Sequence, residues 1–122
     1  MQNMTKSIGD KGERAAQVYL VERGYEILEN NWRFRRYEID IIAKIGQTVV
    51  FVEVKTRKNN IFGEPEVFVS KQKQKFMIAA ANQYLIDNNI TLEARFDIIA
   101  VLSLNNNQTV KHLEGAFYPR CN

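Results

Sequence analysis

The sequence predicts an α/β protein, a mixed β-sheet flanked by helices, in a single domain spanning residues 1–122. Three observations carry that expectation. Apolar residues recur at helical spacing in two separated stretches, 8–23 and 70–86, the pattern of helices that bury one side against a sheet. Between them, YEIDIIAKIGQTVVFVEVKTR at 37–57 reads as two strands around a glycine-bearing turn. A further apolar run, RFDIIAVL at 95–102, supplies a strand after the second helix.

The elements follow in order. The first helix is expected over 8–23, where Ala15, Ala16, Tyr19 and Leu20 share a face and Gly24 offers a C-terminal stop. Residues 25–32, YEILENNW, read as a short strand, and the hairpin arms follow at 37–44 and 48–57. Gly63 and Pro65 mark residues 58–69 as a loop. Ser70 is a natural N-cap for a helix to about residue 86, with Phe76, Met77, Ala80, Tyr84 and Leu85 on its buried side and the DNN triplet at 87–89 ending it. The strand at 95–102 and a weaker one, TVKHLE, after a turn at Asn105–Asn107 complete an α-β-β-β-α-β-β order.

Composition narrows the function classes. A chain of 122 residues can bury a core without disulfides or structural metal. Its longest apolar run, FMIAAA, is too short to span a bilayer, and MQNMTKSIGDKGE at the N-terminus has no apolar signal core. A cytoplasmic protein with no membrane partner is therefore expected. The single cysteine, Cys121, argues against a disulfide framework or a cysteine-rich zinc site and reads as a solvated tail residue. The net charge of +3 permits an anionic partner without demanding one.

Asp40, Glu53 and Lys55 interrupt the hairpin where a sheet would favour valine or isoleucine. Strand alternation puts Glu38, Asp40 and Ile42 on one face of the first arm, and Val49, Phe51, Glu53 and Lys55 on one face of the second. A Gly46-Gln47 turn sets Asp40 opposite Glu53 and Glu38 opposite Lys55; an Ile45-Gly46 turn makes the two acids diagonal neighbours. Either register leaves their Cβ atoms within about 5–8 Å, whereas a three-residue bulged loop would break the parity. Carboxylates so placed repel, and a bridging divalent cation would offset both repulsion and desolvation. Oxygen-only ligands suit Mg²⁺ or Mn²⁺. The alternative is a salt-bridged edge, with Lys55 neutralising Glu38 or Glu53 and Asp40 facing solvent.

Basic residues bracket this hairpin. Arg33, Arg35 and Arg36 precede it, Arg57 and Lys58 follow it, and Lys71, Lys73 and Lys75 open the second helix. Lysines in a first helical turn oppose the macrodipole, so they read as a phosphate site or as long side chains reaching water. Three clusters around one acidic pair point to nucleic acid.

The blocks GDKGERAAQVYLVERGYEILENNWR, EIDIIA, VVFVEVKTR and FGEP, followed by a lysine-led helix, resemble the YraN-like family of uncharacterised bacterial proteins over roughly residues 8–118. That family is similar in layout to archaeal Holliday-junction resolvases and sits with the restriction-endonuclease-like nucleases. The resemblance implies an αβββαβ core and a magnesium-dependent site of the form Asp…Glu-x-Lys with a helical glutamate. Asp40, Glu53 and Lys55 match the strand positions, and Glu13 in GERAA matches the helical acid. It further implies that Asp40, Glu53 and the Val54 carbonyl hold Mg²⁺ or Mn²⁺, that Glu13 assists through a second metal or a bridging water, and that Lys55 positions the attacking water. By analogy with the resolvases, a homodimer is expected. Two departures stand out: Tyr37 occupies the usual glycine position before EID, and Ile39 replaces the proline of the wider nuclease class.

The remaining residues take plainer readings. Glu13 shares a helix face with Ala16 and Leu20 and so points inward. Glu38 is either a partner of Lys55 or half of an ordinary cross-strand pair. Asp97 reads as structural or paired with Arg95, His112 as a plain strand residue, and Trp32 and the phenylalanines as core. The expected function is a metal-dependent endonuclease hydrolysing phosphodiester bonds in DNA, branched or structured DNA included. The alternatives are a nucleic-acid-binding module that keeps the fold without the chemistry, and a subunit that needs another chain.

Overall fold

The computed structural model describes residues 4–57, 69–104 and 107–119. Residues 58–68 of the expected 58–69 loop, Lys58 among them, Asn105 and Asn106 of the expected turn, and Cys121 all lie outside the described residues. The first helix, α1 (Met4–Glu22), starts four residues earlier than the apolar periodicity indicates and stops before Gly24, whose φ of +89° only glycine adopts readily. Next come β1 (Glu26–Phe34), β2 (Tyr37–Ile45) and β3 (Thr48–Arg57), then α2 (Lys71–Asp87), β4 (Glu93–Leu104) and β5 (Asn107–Phe117). Both β1 and β5 outrun their apolar composition because neighbouring strands extend the pairing, through Phe34–Tyr37 and Phe96–Phe117.

The five strands lie in sequence order in one mixed sheet. All neighbours are antiparallel except β3 and β4, which run parallel. A parallel neighbour needs a crossover of about a dozen residues or more, and α2 lies within it. Ser70 caps α2 as expected, its hydroxyl accepting from the Lys73 amide at 3.1 Å.

Alternation along the strands divides the core in two. Ile42, Val49, Phe51, Phe96 and Ile98 pack with Met77, Ala80, Ala81 and Tyr84 of α2. On the other face Ile41, Ala43, Val50, Val52, Ile99 and Val101 pack with Ala16 and Leu20 of α1. Trp32 joins the α2-side core as expected, edge-on to Tyr84 with centroids 5.2 Å apart. Phe76, expected to be buried, is half-buried and instead stacks on Tyr37 at 4.1 Å.

The turn between β2 and β3 is Gly46-Gln47, with Gly46 at φ +57° and Ile45 paired to Thr48. Pairing in this register ends at Ile41–Val52. Just beyond it, Asp40 Oδ2 accepts the Val54 N–H at 2.7 Å, so a side chain takes a place a backbone carbonyl would hold. Ile39 and Ile42 join the α2-side core while Ile41 joins the other, so strict alternation fails at Asp40.

Away from this opening, Asp97 is fully buried and doubly bonded by Arg95, Nε to Oδ1 at 2.9 Å and Nη2 to Oδ2 at 2.8 Å. The Gly115 N–H reaches Oδ1 at 3.0 Å. Burial alone would raise the Asp97 pKa, but hydrogen bonds from His112, Arg95 and Gly115 hold it below the usual carboxylate value. Both readings of Asp97 therefore hold. His112 is more than a plain strand residue: Nε2 lies 2.7 Å from Asp97 Oδ2 and Nδ1 lies 3.2 Å from Tyr19 Oη, linking β5 to α1.

Candidate functional site

The Gly46-Gln47 turn sets the register of β2 on β3 as far as Ile41–Val52, one residue short of Asp40 and Glu53. Ile42, Val49 and Phe51 face α2, and two-residue alternation carries Glu53 and Lys55 to that same side. Glu53 is 8% exposed, a position that ordinarily excludes an unpaired charge. Its Oε2 has two ammonium neighbours, Lys55 Nζ at 3.9 Å and Lys73 Nζ at 3.6 Å. Asp40 stands at the open end of the β2–β3 ladder.

Electrostatics ties these groups together. Burial, then the charge of Glu53, and more weakly that of Glu13, push the Asp40 carboxyl up to about 7. The Val54 N–H and the Lys73 ammonium act in the opposite direction. Glu13 is thus close enough to act on Asp40 although α1 covers the other face. Gly12 explains the approach: a Cβ there would collide with Thr56 Oγ1, so α1 sits against β3 at closer range than a side chain allows. A strand residue directs its N–H and C=O to the same edge, so the Val54 carbonyl also points to the Asp40 side.

Residues 12–101 match the profile described as "Uncharacterised protein family UPF0102". The chain belongs to the UPF0102 family. A UPF0102 protein of Flavobacterium psychrophilum is 45% identical over 111 residues, covering 91% of this chain and 93% of the relative. Those of Bacteroides thetaiotaomicron and Clostridioides difficile are each 44% identical, covering 92% of this chain and 93% and 97% of their own. The span matched to the UPF0102 profile contains Glu13, Asp40, Glu53, Val54, Lys55 and Lys73.

Not every predicted residue of this UPF0102 chain joins the site. Glu38 pairs with Arg33 at 3.3 Å as a cross-strand couple rather than with Lys55. Arg35 and Arg36 are exposed at the β1–β2 turn, Arg35 with φ +60° and its guanidinium 5.1 Å from the Phe34 ring. Arg57 is half-buried and donates to the Thr56 carbonyl at 3.0 Å. Lys71 and Lys75 line a groove of about 830 Å³ with Ile78, Leu85, Phe96 and Tyr118. Lys73 alone of the three α2 lysines turns to Glu53. The sequence held the signal: Lys73 lies four residues before Met77 and so heads the buried stripe Met77, Ala80, Ala81, Tyr84.

The donor set suits a hard divalent cation. Asp40, Glu53 and the Val54 carbonyl offer oxygen only, and burial together with the charge of Glu53 pushes the Asp40 carboxyl up to about 7. Among the described residues, no group of three or more His, Cys, Asp and Glu side chains is already gathered as a metal cluster. The fit therefore rests on two carboxylates and a backbone carbonyl.

Proposed function

We propose that this protein is a divalent-cation-dependent endonuclease of restriction-endonuclease-like fold that hydrolyses phosphodiester bonds in DNA, with branched or structured DNA as its substrate class. One observation carries the reading: where the β2–β3 ladder opens, the buried Glu53 acts by its charge on the half-buried Asp40, with Lys55 beside Glu53. The element order and the Asp40…Glu53-x-Lys55 spacing support it.

In this reading Asp40, Glu53 and the Val54 carbonyl hold Mg²⁺ or Mn²⁺. The cation supplies Lewis-acid stabilisation of the developing phosphate charge. Lys55, 26% exposed at its side chain, is positioned to orient the attacking water by donating from Nζ. Glu13 adds a carboxylate from α1 that takes up a proton through a bridging water or supports a second cation. Arg35, Arg36 and Lys71 are exposed cations that hold flanking phosphates without reading sequence.

A panel of nicked, flapped, forked and four-way DNAs incubated with Mn²⁺ tests the reading. Wild type should cleave at least one of them, and Asp40→Asn should lose roughly 100-fold or more in rate. Absence of cleavage by wild type, or full activity of Asp40→Asn, defeats it. The pairing of Glu53 with two lysines favours a second reading, a DNA-binding module without chemistry, because the acid is already neutralised without metal. Salt-dependent DNA binding that survives Glu53→Ala, with no cleavage by wild type, would select that reading.

A further inference from the structure

The lysine on α2 has a role that the strand motif leaves unassigned. Lys73 Nζ lies nearer Glu53 Oε2 than Lys55 does, 3.6 Å against 3.9 Å. Both distances exceed the 2.7–2.9 Å of a charge-assisted hydrogen bond, so the carboxylate is neutralised without being tightly gripped. The partners differ in freedom. The Glu53 side chain is 10% exposed on the inner strand β3, whereas that of Lys73 is 44% exposed on a flexible four-carbon stem.

The backbone beneath Lys73 is held firmly. Its N–H is capped by Ser70 at 3.1 Å, Gln74 Nε2 donates to the Val69 carbonyl at 2.9 Å, and Phe76 is stacked on Tyr37. Tyr37 begins the strand that carries Asp40, so this stack fixes the start of α2 to the same strand as the acid pair. The arrangement is a fixed acid, a fixed helix and one side chain able to swing between them.

We infer that Lys73 is a built-in counter-cation for Glu53 that a divalent cation displaces, releasing its ammonium to the substrate phosphate at the start of α2. The inference rests on the reading of Asp40 and Glu53 as a cation-binding pair. A divalent cation held by Glu53 would compete with the Lys73 ammonium for the same carboxylate and would repel it. The displaced ammonium stays beside the α2 N-terminus, whose dipole also favours phosphate. Cation loading and substrate grip are thereby coupled through one side chain.

Calorimetric titration of Mn²⁺ into DNA-free protein tests this without using activity. Lys73→Gln should bind Mn²⁺ about two- to five-fold more tightly than wild type, the range of a partly exposed ion pair, and Lys73→Arg should match wild type. With cleavage-silent Ca²⁺, Lys73→Gln should bind a four-way DNA several-fold more weakly than wild type. Equal or weaker Mn²⁺ binding by Lys73→Gln overturns the inference. If wild type still binds Mn²⁺ and Asp40→Asn does not, the acid-pair reading survives that failure. No Mn²⁺ binding by wild type or by Lys73→Gln removes both.

Discussion

Asp40 does two jobs with one carboxylate: it accepts a strand hydrogen bond from Val54 and feels the charge of Glu53 at the open end of a hairpin. Its raised pKa has a thermodynamic consequence. Folding strengthens the hold on the Asp40 proton, so stability of the cation-free protein should fall as pH rises from about 4 through about 7 and then level off. Asp40→Asn lacks that proton, and relative to wild type should gain on the order of 2–4 kcal/mol across the window. Urea denaturation in a chelating buffer at pH 5 and pH 8 measures it; an equal wild-type-to-variant difference at both values would contradict the assignment. At this scale the sequence was legible where alternation decided direction, as for Glu53 and Lys55. Among Lys71, Lys73 and Lys75 composition hides the difference, although residues two apart on a helix point roughly 200° apart and Lys73 alone lies in line with Met77. His112 was opaque for another reason: its partners, Tyr19 and Asp97, are distant in sequence.

Among elements, the contact of α1 with β3 sets what reaches the site from the far face. Gly12 lies against Thr56 with no room for a Cβ, and Glu13 follows directly. Thr56 is β-branched and turns aside poorly, so Gly12→Ala should lift the helix and cost about 1–3 kcal/mol. Chemical denaturation of Gly12→Ala beside Gly12→Ala/Thr56→Ala measures this, with the second change expected to recover part of the loss. All seven elements were foreseen in order because each has either a periodic apolar face or a dense apolar run. The ends were not. MTKSIGD at the start of α1 has too little apolar content to show periodicity, and the end of β5 is set by pairing of Phe117 with Phe96. The break in alternation at Asp40 was also hidden, because a side chain standing in for a backbone acceptor leaves no mark in an apolar pattern.

At the scale of the whole molecule, the polar centre around Asp97 and the acid pair around Asp40 have opposite characters. Asp97 is satisfied by Arg95, His112 and Gly115, and through Tyr19 and Tyr25 it joins β4 and β5 to α1 and to the chain entering β1. Removing it takes the bidentate partner from half-buried Arg95 and leaves His112 and the Gly115 N–H without their acceptor, so Asp97→Ala should cost about 2–4 kcal/mol. Its lowered pKa means that its contribution is present above about pH 4 and fades as acid protonates it. Urea denaturation should therefore separate wild type from Asp97→Ala more widely at pH 7 than at pH 3, by about 1 kcal/mol at most. The mixed sheet between helices was readable as a whole, since the order of elements leaves few ways to cover both faces. The Asp40–Val54 bond finally bears on the choice of an inactive control. Asp40→Asn retains an oxygen for that N–H, whereas Asp40→Ala leaves it unanswered and unzips the hairpin mouth. Only the amide gives a knockout in which silence reports on chemistry rather than on a frayed sheet.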